Sequence, residues 1–162
     1  MMRARLKKAI AKLRLYRLAA WLYETYRLVA KPHSHGALVA IWWGERLLLV
    51  QSSYRDTLSL PGGGLEAGET AQQAAVRELA EELDLVVEPD QLSDPWTITE
   101  RSKRGSNTVT IVSWHVADQP TIRIDNLEIV GCQWLTRTEA LAQPITSHLR
   151  AYLTPWEEGK QP

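Results

Sequence analysis

The chain has 162 residues and a mass of 18.4 kDa, the size of one domain with room for a short extension. Its 44% hydrophobic and 23% charged residues are typical of a globular protein and exclude a disordered chain. The formal net charge is zero, yet residues 1–31 carry nine basic side chains and one acidic, a net +8 that the remaining residues balance with −8.

The basic segment at the start of the chain predicts a helix. Residues 3–29 contain no glycine or proline and are rich in alanine, leucine, arginine and lysine. Pro32 ends the pattern, because the residue before a proline is disfavoured in the helical conformation. We therefore expect residues 1–34 to form a basic amphipathic helical extension. Its apolar positions recur every three or four residues as one stripe: Leu6, Ile10, Leu13, Tyr16, Ala20 and Tyr23.

Three roles are open for this extension. It could pack on its own domain or on a second copy of the chain, which would make a homodimer. It could make a weak membrane-surface contact through residues 1–31, since basic amphipathic helices bind anionic lipid. It could also be a nucleic-acid contact or a partly disordered arm, although we expect no nucleic-acid partner. No stretch reaches the ~18 apolar residues of a membrane span and no signal-peptide pattern is visible, so we expect a cytoplasmic protein.

From residue 35 onward, short apolar runs alternate with helical patterns. Runs at 37–43 and 46–51, joined by a Gly-Glu turn, predict a hairpin, and residues 58–60 predict a short strand. Apolar spacing predicts a helix over 69–83. Further strands are predicted at 96–99, 108–116 and 129–135, with a polar loop at 100–107 and short helices at 137–142 and 146–153. This order predicts a mixed α/β domain over residues 35–156, followed by a flexible tail at 157–162.

Three glutamates on the central predicted helix form a carboxylate cluster. Glu78, Glu81 and Glu82 stand at positions i, i+3 and i+4, so their side chains project from one face and repel one another. Arg77 lies about 100° away around the helix, so we do not expect it to neutralise all three. A hard divalent cation such as Mg²⁺ could, because it prefers oxygen ligands and couples to substrate phosphates.

A glycine run precedes this helix, in the segment Pro61-Gly62-Gly63-Gly64. Successive glycines leave the backbone bare, so that a carbonyl oxygen can reach a metal ion. Each feature alone is more typical of a solvated helix face or of an ordinary turn. Together, a glycine loop and a helix with clustered carboxylates favour metal-assisted hydrolysis of a phosphate ester or anhydride.

The whole segment from Gly63 to Leu85 resembles the Nudix box, the signature of hydrolases that act on nucleoside diphosphates linked to another moiety. The box reads G-x5-E-x7-R-E-U-x-E-E-x-G-U, where U is aliphatic. Asp84 replaces its final glycine. Aspartate tolerates the left-handed conformation of that helix end better than most residues. The resemblance gives this position no role in the metal site, so we expect activity to survive. All other specified positions match: Gly63, Glu69, Arg77, Glu78, Leu79, Glu81, Glu82 and Leu85.

The resemblance implies the Nudix α/β/α sandwich with a mixed sheet, and a role for each matched residue. Glu78, Glu81 and Glu82 would be ligands of Mg²⁺ or Mn²⁺, together with the backbone carbonyl of Gly63. Arg77 would form an orienting ion pair with Glu69 that holds the loop and the helix together. A catalytic role for Arg77 is equally open.

Families of this type often use a further carboxylate from outside the box, as ligand or as general base. We favour Glu128, on the approach to the predicted strand 129–135, and Glu78 or Glu81 would be the alternative bases. A loop acid in water is the competing interpretation of Glu128. Other candidates are Glu100, Asp125 and Glu139.

Two basic positions are candidates for contact with substrate phosphates, although loop arginines often serve only solubility. Arg55 lies shortly before the glycine run, and Arg104 belongs to the basic cluster of the polar loop. The histidines show no ligand spacing with the acids and are expected to be structural. Cys132 is the one cysteine, which excludes a disulfide framework. We expect it to be a small, buried apolar residue without a catalytic role.

These observations predict a Mg²⁺-dependent pyrophosphohydrolase. Its substrate would be a nucleoside diphosphate linked to another moiety, with a nucleoside diphosphate sugar or ADP-ribose preferred. A nucleoside triphosphate pyrophosphohydrolase is the first alternative. The second is a non-catalytic Nudix module that binds nucleotide for regulation, whose sequence sign would be the loss of a box acid, and none is lost.

Overall fold

The computed structural model describes residues 33–93, 95–102, 105–124 and 126–154. The predicted extension over 1–34 and the tail at 157–162 therefore lie outside the described residues, except for two positions. Residues 33 and 34 are not helical but begin a strand, because they pair with Ser106 and Asn107 of a neighbouring strand. Within the described ranges, no helix is long and apolar enough to cross a membrane.

Seven strands of the described chain form one mixed sheet around a central strand. That strand, β1, runs parallel to β6 over its whole length and antiparallel to β4 and to the first residues of β2. β2 pairs antiparallel with β3 and β7, and β5 pairs antiparallel with β6. The strands are β1 (His33–Trp43), β2 (Arg46–Ser52), β3 (Leu58–Ser59), β4 (Gly62–Gly64), β5 (Trp96–Ser102), β6 (Gly105–Val116) and β7 (Ile129–Thr136).

Helices cover both faces of this sheet. They are α1 (Ala71–Leu83), α2 (Arg137–Leu141) and α3 (Ser147–Leu153), with a 3₁₀ turn at Pro89–Gln91. Alternate side chains of β1 enter different cores, since successive strand residues point to opposite faces. Val39 packs in the core that contains Leu79 of α1, whereas Ala40 packs in the core that contains Leu149 of α3. The predicted α/β/α sandwich is thereby confirmed.

The predicted polar loop at 100–107 is wrong, because most of it is strand. β5 and β6 continue through it as a hairpin in which Glu100 pairs with Asn107 and Arg101 pairs with Ser106. Further along the same ladder, the hydroxyl groups of Thr99 and Thr108 lie 2.9 Å apart. Polar side chains do not break a strand whose backbone is paired on both sides, and β6 has that support from β1 and β5.

The helix that carries the box begins and ends at capped residues. The Thr70 hydroxyl accepts a hydrogen bond from the backbone N–H of Gln73, and the Gln73 side chain accepts one from the N–H of Thr70. At the other end, Asp84 adopts the left-handed conformation with φ 57° and ψ 34°. This is the conformation that the family's glycine favours, so the substitution preserves the helix end.

The expectation that Cys132 is buried is also wrong, because the residue is exposed and free. Its strand, β7, pairs with β2 and with no other described strand, so it lies at an edge of the sheet. Ile129 of this strand belongs to the core under α1 and Trp134 packs against that core, but Cys132 does not. The side chain therefore remains in contact with solvent.

Candidate active site

The glycine turn is held against β1 in a conformation that requires glycine. Gly62 has φ 129°, and a Cβ atom there would collide with the carbonyl oxygen of Ala37. A Cβ atom on Gly63 would lie only 2.6 Å from Oε1 of Glu78. The backbone of the turn is thus in direct contact with the acidic face of α1.

Two of the three box carboxylates are buried at this contact. Glu78 is 8% exposed and Glu82 is 6% exposed, whereas Glu81 lies at the surface. Oε2 of Glu82 accepts a hydrogen bond of 2.8 Å from the backbone N–H of Gly62. Buried acids are uncommon unless they are paired, so their position beside a bare backbone marks this face as a candidate functional site.

Arg77 connects the turn, the loop before α1 and the acidic face. Its Nε and Nη2 atoms donate to both carboxylate oxygens of Glu69, at 2.8 and 3.1 Å. Nη2 also donates to the carbonyl oxygen of Gly64 at 3.0 Å, and Nη1 donates to Oε1 of Glu78 at 2.7 Å. The structure therefore contains the ion pair with Glu69 that the resemblance implies. Glu81 lies 3.9 Å from the same guanidinium.

Burial and neighbouring charges act in opposite directions on Glu78. Burial raises the pKa of its carboxyl group above the ordinary value, and Arg77 opposes this effect through its hydrogen bond and its charge. The negative charges of Glu81 and Glu128 raise the pKa further. Hydrogen bonding to Arg77 lowers the pKa of Glu69. The charge of Glu128 therefore contributes to the electrostatics of the box acids, although this residue lies outside the box.

Among the other carboxylates outside the box, Glu139 caps α2, since its Oε2 accepts a 2.8 Å hydrogen bond from the N–H of Thr136. The same carboxylate lies 3.5 Å from the Arg46 guanidinium. Asp125 is outside the described residues. Backbone pairing places Glu128 just before β7, where its carbonyl oxygen accepts a 2.8 Å hydrogen bond from the N–H of Ser53.

A cavity of about 260 Å³, here called the turn cavity, opens beside the glycine turn. Gly62–Gly64 and Glu82 form part of its wall, and the predicted phosphate contact Arg55 forms another part. The neighbouring Tyr54 is 45% exposed, and the Arg55 guanidinium lies 5.4 Å from the centre of its ring. The second predicted phosphate contact, Arg104, lies outside the described residues.

His148, which was expected from the sequence to be a structural residue, lies in the wall of this cavity. It is 9% exposed, and its Nε2 atom lies 2.9 Å from the Thr146 hydroxyl. A histidine among apolar helix residues is ordinarily a core residue, so the sequence carried no signal for this position. Only the packing of α3 beside the turn cavity reveals it.

We expect His148 to weaken the fold as the pH falls. Burial lowers the pKa of its imidazole below 6.5, so the unfolded chain binds a proton that the folded chain does not. Stability is therefore lost from about pH 6.5 down to the folded pKa, by at most about 1.4 kcal/mol per pH unit. Chemical denaturation between about pH 7.5 and about pH 5 should show that the free energy of unfolding falls less steeply with pH in His148→Gln than in the unmodified protein. The same pH dependence of this free energy in both proteins would contradict the assignment.

Alanine substitutions in the glycine turn should separate folding from activity. In Gly63→Ala the three nearest neighbours of the new methyl group would be atoms of the Glu78 carboxyl group, a side chain that can move, so we expect a folded protein with activity reduced about tenfold or more. Gly64→Ala is the matched control, because a Cβ atom there has no neighbour within 4 Å. Gly62→Ala should fail to fold stably, since it meets backbone. Thermal melts and turnover assays would check the series, and equal activity of the Gly63 and Gly64 variants would contradict it.

The donor chemistry of the site fits a hard divalent cation. With the side chains as they stand, no three histidine, cysteine, aspartate or glutamate residues of the described ranges converge on one point as a set of metal ligands. The acids are instead engaged with protein donors, Glu78 with Arg77 and Glu82 with the Gly62 N–H. Carboxylate and carbonyl oxygens are nevertheless the ligands that Mg²⁺ and Mn²⁺ prefer. A cation would also relieve the repulsion that Glu78 experiences.

The sequence of the chain is similar to a known protein family and to individual members of it. A family model described as the NUDIX domain matches residues 32–156. A MutT-like protein of Streptomyces ambofaciens is 29% identical over 124 residues, 68% of this chain and 79% of that protein. An ADP-ribose pyrophosphatase of Methanocaldococcus jannaschii is 33% identical over 71 residues, 42% of this chain and 41% of that protein. The second match therefore spans less than half of the relative's length.

Solved structures share the fold. A MutT NUDIX hydrolase from Burkholderia pseudomallei is similar over 75% of this chain and 96% of its own, with a TM-score of 0.65 and 22% identity. A bifunctional NMN adenylyltransferase/ADP ribose pyrophosphatase from Francisella tularensis, complexed with AMP and a Mn ion, has a TM-score of 0.57 and 23% identity. That similarity covers 79% of this chain and 40% of the bifunctional one.

Proposed function

This chain belongs to the Nudix hydrolase family and is a pyrophosphohydrolase, and we propose that it cleaves the diphosphate linkage of a nucleoside diphosphate joined to another moiety. One observation carries the proposal: two buried carboxylates, Glu78 and Glu82, lie against a glycine-only backbone turn at a cavity that also contains Arg55. The similarity to an ADP-ribose pyrophosphatase supports this class of substrate.

We propose that Glu78, Glu81 and Glu82, with the carbonyl oxygen of Gly63, hold Mg²⁺ or Mn²⁺. When bound, the cation would neutralise phosphate charge and lower the pKa of a water molecule. The present hydrogen bonds of Glu78 and Glu82 keep these acids close to the turn before any cation arrives. The Francisella tularensis neighbour, which contains a Mn ion, supports a divalent cation for this fold.

Arg77 is proposed as a positioning residue. Its hydrogen bonds to Glu69, Glu78 and the Gly64 carbonyl join the loop before α1, the helix and the glycine turn. A planar guanidinium fork suits this task, because it donates in fixed directions to several acceptors at once. The spacing between the acidic face and the turn therefore depends on Arg77.

We assign proton and phosphate handling to two residues outside the box. Glu128, whose charge acts on Glu78, would accept the proton of the attacking water as general base. Arg55 would donate hydrogen bonds to phosphate oxygens from its place in the turn cavity. Water would attack phosphorus, the P–O bond of the anhydride would break, and two phosphate monoesters would leave.

The experiment is a turnover assay with Mg²⁺ on ADP-ribose, several nucleoside diphosphate sugars and the common nucleoside triphosphates. Phosphate monoester and pyrophosphate release would be measured separately, with Glu82→Gln as the blank. Metal-dependent monoester release from the first two classes is the expected result. Pyrophosphate release from triphosphates alone would replace the proposal with a triphosphate pyrophosphohydrolase. Nucleotide binding without any turnover would favour a regulatory module.

A further inference from the structure

A second cavity of about 400 Å³, here called the distal cavity, adjoins the turn cavity. The two share three wall residues, Arg55, Asn107 and His148. Because Arg55 borders both, a substrate whose diphosphate lies beside this guanidinium would extend into the distal cavity. The chemistry of that cavity therefore bears on what is attached to the diphosphate.

The described wall of the distal cavity is mostly polar, with Ile145 as its apolar residue, and contains no tryptophan or tyrosine. It has a carboxylate, an amide and an imidazole, from Glu100, Asn107 and His148, together with the hydroxyl-bearing residues Thr57, Thr146 and Ser147. Such a surface offers many hydrogen-bond donors and acceptors, and its flat groups for stacking a base are limited to the His148 ring and the Arg55 guanidinium. In the turn cavity, by contrast, the exposed ring of Tyr54 is available for stacking.

His148 contributes a buried polar atom to this wall. One ring nitrogen lies beside the Thr146 hydroxyl, and no described protein group is hydrogen-bonded to the other, Nδ1. A buried ring nitrogen without a partner carries a desolvation cost that a ligand hydroxyl or a water molecule can remove. Because burial keeps the imidazole neutral, it can donate to or accept from a hydroxyl group.

Glu100 determines the charge that the distal cavity accepts. It is half-buried in the same wall as Arg55 and His148, and its negative charge acts on that histidine. A carboxylate at this position repels a further phosphate group but accepts hydrogen bonds from sugar hydroxyls. The terminal phosphate of a nucleoside triphosphate would approach this carboxylate once it passed Arg55.

We propose that the distal cavity binds an uncharged sugar, the moiety attached to the diphosphate, and that Glu100, Asn107 and His148 are its specificity-determining residues. This inference rests on the proposed function, because it takes the diphosphate to lie beside Arg55. Glu100 accepts hydrogen bonds from the sugar hydroxyls, and Asn107 and His148 provide the neighbouring polar contacts. The substrate class is then a nucleoside diphosphate sugar, with ADP-ribose included.

The test measures binding by calorimetry without divalent cations, so that no turnover takes place. The probes are ADP-ribose and UDP-glucose, each compared with the β-methyl ester of its own nucleoside diphosphate. The ester has the same charge and has a methyl group in place of the sugar on the β-phosphate. We expect each sugar ligand to bind at least about tenfold more tightly than its ester. Glu100→Gln and, independently, His148→Asn should bring this ratio to within about twofold, with the larger loss of affinity for the sugar ligand.

Glu45→Gln is the matched control, because it removes an exposed carboxylate in the turn between β1 and β2 and should preserve the ratio. Equal binding of sugar ligands and esters by the unmodified protein would overturn the inference. The inference would also be overturned if both variants lost the same affinity for the sugar ligand as for the ester. The cavity would then bind the nucleoside, or its residues would serve only the fold. A sugar preference without hydrolysis in Mg²⁺ would support this inference and overturn the proposed function alone. Hydrolysis without a sugar preference would do the reverse.

Discussion

Replacing Glu82 by glutamine should lower kcat by about 10³-fold while leaving the protein folded. Glutamine keeps a carbonyl oxygen that can accept the hydrogen bond from the Gly62 N–H, so the contact between α1 and the turn survives. It removes the negative charge that a cation needs at this buried position. Steady-state turnover with Mg²⁺, together with a circular dichroism melt, would measure the two effects separately.

Metal dependence of stability distinguishes a ligand role for Glu82 from a purely structural one. A cation that binds only the folded protein stabilises it by about 2.7 kcal/mol at a hundredfold excess over its Kd. The unmodified protein and the control Glu45→Gln should gain stability as Mg²⁺ is added, whereas Glu82→Gln should gain little. If Glu82→Gln retained turnover within a few-fold and the same gain, the metal assignment would be wrong.

Arg77→Ala should cost about 2–3 kcal/mol of stability and lower kcat about 10²-fold. The variant leaves the carboxylates of Glu69 and Glu78 without their shared partner, and only about a fifth or less of either side chain is exposed. The loss should lie between that of an exposed and a fully buried pair. Arg77→Lys should recover little, because an ammonium group cannot bridge Glu69, Glu78 and the Gly64 carbonyl at once.

A double-mutant cycle tests whether this loss comes from the ion pair. Glu69→Gln alone should be mildly destabilising, and its combination with Arg77→Ala should cost less than the sum of the single changes by about 1 kcal/mol. Urea denaturation of the four proteins supplies the free energies of unfolding. Additive effects, or full activity in Arg77→Lys, would contradict a positioning role based on this geometry.

Features set by local chain geometry were predictable. Glu78, Glu81 and Glu82 share one helix face because a residue's direction around a helix depends only on its place in the sequence. Thr70 and Asp84 bound the helix through capping and a left-handed residue, which are also local. The box in turn predicted the family and the α/β/α fold, and both are confirmed.

Features that depend on distant pairing were not predictable. Residues 100–107 have the composition of a loop, yet residues 100–102 and 105–107 lie in strands, because β6 pairs with β5 on one side and with the distant β1 on the other. Cysteine is ordinarily a core residue, but Cys132 is exposed in β7, which lies at an edge of the sheet and pairs with β2 alone among the described strands. In both cases the outcome was decided by which neighbour the fold supplied.

The sequence by itself determined the family, the order of the carboxylates and the bare glycine backbone beside them. Only the tertiary structure decided that His148 of α3, Glu100 of β5 and Arg55 of a loop border adjoining cavities. The physical reason is that side-chain periodicity acts within one element and fixes which residues share its face. Which elements become neighbours depends on long-range packing and strand pairing, and the sequence of a single segment does not specify its distant partners.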